Sequence, residues 1–119
     1  MLIDPDYARI YTKLRIKGWQ YGWAVVLHGS ATRDLDLLMV PWTDNCLPES
    51  ADQCIKMLMK DEKLRLSNMQ ADDDPYKAVI DWSQRPFGRK STSLHFPGFG
   101  DPRWIDISVC PHVMPKEPS

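Results

Sequence analysis

The sequence predicts an α+β domain in which a single mixed or antiparallel sheet carries helices on one face. Three observations lead there. Apolar residues recur with helical spacing after Asp4, and again after Ser50. Four short runs of β-formers, Trp23 to Leu27, Asp34 to Val40, Ser91 to Phe96 and Trp104 to Cys110, are bounded by Gly and Pro. The elements then follow the order α-β-β-α-(α)-β-β, which layers helices against one sheet. The 119 residues, 43% of them hydrophobic, support one core and not two. The domain is expected over residues 1–114. Residues 115–119 have no apolar pattern and read as a disordered tail.

Each element has its own signature. Asp4 suits an N-cap and Pro5 the first helical position. Tyr7, Ile10, Tyr11 and Leu14 mark one buried stripe, and Gly18 reads as the stop. Two strands follow, joined by the short connection Gly29 to Arg33, which favours an antiparallel hairpin. Pro41 ends the second strand. Ser50-Ala51-Asp52-Gln53 has the form of a capping box, ahead of a helix with Ala51, Cys54, Ile55 and Leu58 on one face. Asp74-Pro75 opens a further short helix carrying Tyr76, Val79 and Ile80. Gln84 to Gly88 and Pro97 to Pro102 are turns, and Pro111 closes the last strand.

Composition excludes several classes. A net charge of −1 gives no bulk attraction to nucleic acid or membrane, although Arg85, Arg89, Lys90 and Arg103 make a local basic group able to receive phosphate or nucleic acid. Cys46, Cys54 and Cys110 are odd in number and lack zinc-ligand spacing, which argues for a reduced, cytoplasmic setting. No segment has the pattern of a signal peptide or a membrane span. Among the five tryptophans, most are expected in the core or its rim, and some at a protein interface.

The chemistry concentrates at His28-Gly29-Ser30 and Asp34-Leu35-Asp36. Strand side chains alternate, so Asp34 and Asp36 are expected on one face, with Asp106 isolated in a second apolar strand. Adjacent carboxylates repel unless a cation lies between them. Three such acids form an oxygen donor set for Mg²⁺ or Mn²⁺. Gly29-Ser30 offers backbone amides and a hydroxyl to phosphate, and Arg33 a charge. His95 alternates with the apolar Leu94 and Phe96, so it faces away from the core, where an imidazole can act as a base or a ligand. The plainer readings stay open: a hairpin turn, solvent-facing acids paired with arginines, and half-buried histidines.

These residues resemble the DNA polymerase beta-type nucleotidyltransferase superfamily. Its pattern is a Gly-Ser element, an acid-apolar-acid strand and a lone acid on a later strand, matched here by Gly29-Ser30, Asp34-Leu35-Asp36-Leu37 and Ile105-Asp106-Ile107. The resemblance implies that Asp34, Asp36 and Asp106 bind two divalent metals and that Gly29 and Ser30 hold a nucleotide triphosphate. It further implies nucleotidyl transfer to a hydroxyl by in-line displacement. Over most of its length the chain also resembles small proteins of bacteriophages and prophages. The shared blocks are His28 to Ser30, Arg33 to Leu37, Val40 to Trp42 and Ile105 to Val109. That likeness implies a viral protein acting in the host cytoplasm.

Only Ala31-Thr32-Arg33 separate Gly-Ser from the first acid, where the superfamily places a longer spacer with a helix. The short spacer and the tryptophans motivate an alternative, a non-catalytic interaction protein that binds and modulates a host factor. A third reading, a metal-dependent nuclease or phosphohydrolase, uses the same acids on another substrate. Expected partners are accordingly a nucleotide or nucleic acid, or a host protein.

Overall fold

The computed structural model describes residues 4–29, 33–43, 46–47, 49–70, 72–98 and 100–111. The expected tail at 115–119, and Ser30 of the Gly-Ser element, lie outside these residues.

Helix α1 runs Pro5–Gln20. The Asp6 amide donates to the Asp4 carboxylate at 2.8 Å, which caps the first turn as expected. Tyr7, Ile10 and Leu14 are buried on one face. The expected stop at Gly18 is corrected, because that residue lies inside the helix. A β-carbon there would sit 3.0 Å from Val25 Cγ2 and 3.2 Å from the Trp23 carbonyl, so this glycine lets the helix approach the sheet. The turn is made by Gly22 instead, at φ +88°.

Strands β1 (Trp23–His28) and β2 (Leu35–Pro41) form the expected antiparallel hairpin. Helix α2 spans Ser50–Glu62. The capping box is a second correction. Glu49 occupies the N-cap without a side-chain bond, and Ser50 Oγ instead accepts from Trp23 Nε1 at 2.8 Å while donating to the Leu47 carbonyl at 2.6 Å. Satisfying a buried indole N–H outweighs a cap. The short helix after Asp74 is a third correction. It is a single 3-10 turn, Pro75–Lys77, because Ala78 turns extended to lead the chain to the sheet edge.

There the chain adds a short strand not expected from the sequence, β3 (Ser83–Gln84), then β4 (Lys90–His95) and β5 (Trp104–Val109). The sheet order is β1-β2-β5-β4-β3. Strand β5 enters the middle, parallel to β2 and antiparallel to β4, so the sheet is mixed. Its inward residues, including Leu35, Leu37, Met39, Ile105, Ile107 and Leu94, share one core with Ile10 and Leu14 of α1 and Ile55 and Met59 of α2. Each such side chain, fully removed from water, contributes roughly 1.5–3 kcal/mol. Among the described residues no helix is long and apolar enough to cross a membrane.

Arg103 ties the start of α1 to the approach to β5. Its Nη1 lies 2.9 Å from Asp4 and 2.7 Å from Asp6, its Nη2 2.9 Å from Asp101, and its guanidinium 4.0 Å from the Phe96 ring centroid. It is therefore a structural clamp and not part of a phosphate-receiving group. Lys90 is likewise engaged, over the Trp82 ring at 4.3 Å.

Candidate functional site

Because both helices cover one face, the other face of the sheet is open, and strand alternation decides what stands on it. Register pairs His28 with Asp36, Asp36 with Asp106, and Asp106 with Ser93. Four polar residues thus stand abreast across β1, β2, β5 and β4. The next row toward the far end of β2 holds Leu38, Ser108 and Ser91. Together with Arg85 and Arg89 these residues line an open cavity of about 400 Å³.

Asp36 and Asp106 are brought together. They are register partners on adjacent parallel strands, near enough for each carboxyl group to act on the other. Burial pushes the Asp36 pKa up, the carboxyl group and charge of Asp106 push it further, Asp34 adds to the rise, and His28 opposes it. Ser93 Oγ donates to Asp106 Oδ1 at 2.5 Å and fixes that carboxylate from the β4 side.

Asp34 sits one residue before β2, exposed, and acts on Asp36 through its charge only. Among the described residues, no three His, Cys, Asp or Glu side chains gather closely enough to share a metal ion. The convergent set is a pair, with the third acid at longer range.

Gly29 abuts the pair. Its φ is +80°, and a β-carbon there would lie 3.1 Å from Asp36 Oδ2. Only a glycine gives the backbone that approach without strain. Arg33 is exposed, and its carbonyl accepts from the Tyr7 hydroxyl at 2.5 Å; its side chain does not line the cavity. His95 shares the open face but lies beside Trp104, with ring centroids 5.4 Å apart and Nδ1 3.1 Å from the Phe96 carbonyl. His28, in line with the acids, is the histidine that reaches the cavity.

Two cations line the same cavity. Arg85 Nε donates to Ser91 Oγ at 2.8 Å, and Arg89 Nε to the Pro86 carbonyl at 3.4 Å. Among the described residues no carboxylate pairs with either guanidinium. One cavity therefore holds an acid pair and two arginines kept apart from it. The basic pair was visible in the sequence, but its place in the same cavity as the acids was not. Ser93 was legible as outward-facing from its alternation with Leu94. Its partner was hidden, because it comes from another strand. No family model matches the chain, and comparison with curated proteins gives no match.

Proposed function

We propose that the protein is a metal-dependent, nucleotidyltransferase-like domain. In this reading Asp36 and Asp106 hold a divalent cation, Mg²⁺ or Mn²⁺, and Arg85 and Arg89 receive the phosphates of a nucleotide. The observation that carries it is the in-register carboxylate pair, in a cavity also lined by two arginines that have no acidic partner among the described residues. A cation-phosphate ligand matches both pairs, because neither pair neutralises the other. The donors are all hard oxygens, two carboxylates and the Ser93 hydroxyl, which suits these ions.

Each residue has a task under this reading. Asp36 and Asp106 bind the cation, which when bound would screen phosphate charge and polarise a phosphoryl oxygen. Ser93 orients Asp106, and His28 moderates the charge of Asp36. Gly29 leaves room beside Asp36 for a ligand oxygen. Asp34 stands at the rim as the additional acid, and Arg33 and Ser30 remain its neighbours in sequence. A nuclease or phosphohydrolase would use the same residues and differ in products.

The test is a thermal melt with Mn²⁺ alone, followed by calorimetric titration of a nucleoside triphosphate with Mg²⁺. Wild type is expected to melt higher with Mn²⁺, and Asp36→Asn and Asp106→Asn not to respond. Equal responses in all three proteins would reject the site.

A second reading rests on a separate surface. Trp19 and Trp42 stack at 4.1 Å with 57% and 48% of their surfaces exposed, near Ile16 and β1, the edge strand among the described residues. Exposed stacked aromatics suit contact with a host protein. If that is the function, capture of a host protein fails with Trp19→Ala and Trp42→Ala and survives Asp36→Asn, while Mn²⁺ leaves the melt unchanged.

A further inference from the structure

The loop between β3 and β4, Arg85 to Arg89, presents Phe87 almost naked to solvent, 93% exposed. Two facts make this more than a stray surface residue. Phe87 has φ +66° and ψ 29°, a left-handed conformation that bulky side chains adopt at a cost, and Gly88 follows at φ +77°. The loop is also firmly closed. The Arg85 amide donates to the Arg89 carbonyl at 2.8 Å, Arg85 Nε to Ser91, and Arg89 Nε to the Pro86 carbonyl. Gly88 lies against Pro111, where a β-carbon would be 3.3 Å from Cγ. A fixed, strained loop thus holds an aromatic ring out in water between the two arginines that enter the cavity.

A second ring, Trp104, lines a hollow together with Arg85. This hollow of about 240 Å³ next to the acid cavity is also lined by Asp81 and Ser83, and it shares Ser91 and Ser93 with that cavity. Trp104 is 38% exposed, on the same face as Asp106 and two residues before it. Trp104 and Arg85 thus line one hollow, Phe87 stands two residues after Arg85 on the loop, and the hollow shares Arg85, Ser91 and Ser93 with the acid cavity.

From this arrangement we infer that the ligand is a single-stranded nucleic acid. Phe87 and Trp104 stack on separate bases, and Arg85 and Arg89 contact the intervening phosphates. Rings alternating with cations are how sequence-tolerant single-strand sites are built, since every base has a face to stack and every link a charge. A mononucleotide would occupy one ring at most. The chain's net charge of −1 adds no long-range attraction, so binding rests on this local set. The inference builds on the cation-and-phosphate reading through the shared arginines.

The test is fluorescence anisotropy of a labelled ten-nucleotide thymidine strand at low salt, with thymidine monophosphate as competitor. Phe87→Gly is the chosen variant, because glycine accepts the left-handed backbone and the protein should melt no lower than wild type. It is expected to bind the strand about 5- to 150-fold more weakly, the equivalent of roughly 1–3 kcal/mol per stacked base. Arg85→Gln is expected to reduce the salt dependence by about 0.7 in slope, one single-strand phosphate. Trp104→Ala should weaken the strand as well. Absence of strand binding by wild type, equal binding by Phe87→Gly and Arg85→Gln, or equal competition by the mononucleotide would overturn the inference. The Mn²⁺ response separates the two proposals. Phe87-dependent strand binding without that response leaves this inference standing and removes the cation site, and the reverse removes only the strand site.

Discussion

At Asp36 a carboxylate is half-buried, stands beside the carboxyl group of Asp106 and is faced by the charge of Asp34. Folding raises its pKa above the ordinary 3.8, so the folded state keeps the proton to higher pH than the unfolded chain does. For this group stability is greatest below 3.8 and falls as pH rises through the raised value. Asp36→Asn is therefore expected to melt higher than wild type at neutral pH, with the gap closing toward pH 3; a constant gap across that range would contradict the origin assigned here. Under the proposed function a bound cation would reverse the penalty. At free Mn²⁺ ten times its dissociation constant, wild type should gain about 1.4 kcal/mol and Asp36→Asn nothing. The acids at Arg103 have the opposite sign. The guanidinium beside them holds Asp6 and Asp101 below 3.8, so their contribution is complete above that pH and is lost as pH falls through the lowered values. Arg103→Leu should flatten the acid limb of a pH-stability curve, and an unchanged limb would mean that the clamp is incidental.

At the scale of elements, two glycines place the site. Gly18 seats α1 on β1, and Gly18→Val would push the helix off the sheet, at roughly 1–3 kcal/mol for overpacking. Urea denaturation reads that cost directly. Gly29 acts at the hairpin tip. Gly29→Ala must hold a left-handed residue, at roughly 1–2 kcal/mol, and brings its methyl against Asp36. Its melting point should drop and its Mn²⁺ response shrink together; a loss of stability with an intact response would show that the close approach is not part of the site. The helices and long strands were legible at this scale because Tyr7, Ile10 and Leu14, or Leu35, Leu37 and Met39, follow their periods. The cap at Ser50 and the stop at Gly18 were misread for one reason. Both residues serve a long-range neighbour, Trp23 or Val25, that outweighs the local signal. The two-residue β3 is too short for any period to show.

At the scale of the molecule, insertion of β5 between β2 and β4 is the decisive event. It closes the core and also sets Asp106 beside Asp36 and Ser93. Ile107→Ala, buried in that core, is expected to cost roughly 2–5 kcal/mol by equilibrium unfolding while leaving the residues that line the cavity unchanged. Core and site are therefore separable by mutation, because they occupy opposite faces of one sheet.

The sequence by itself determined the class of fold, the α1 helix, the first hairpin and the outward direction of Asp36, Ser93 and Asp106, since period and turn chemistry are local properties. Only the tertiary structure decided that Asp36 and Asp106 pair while Asp34 stays at the rim. It also placed His28 instead of His95 by the acids, committed Arg103 to a clamp, and put Arg85 and Arg89 on the wall of the acid cavity. Strand order and register bring together residues tens of positions apart, and no local pattern encodes which acid meets which.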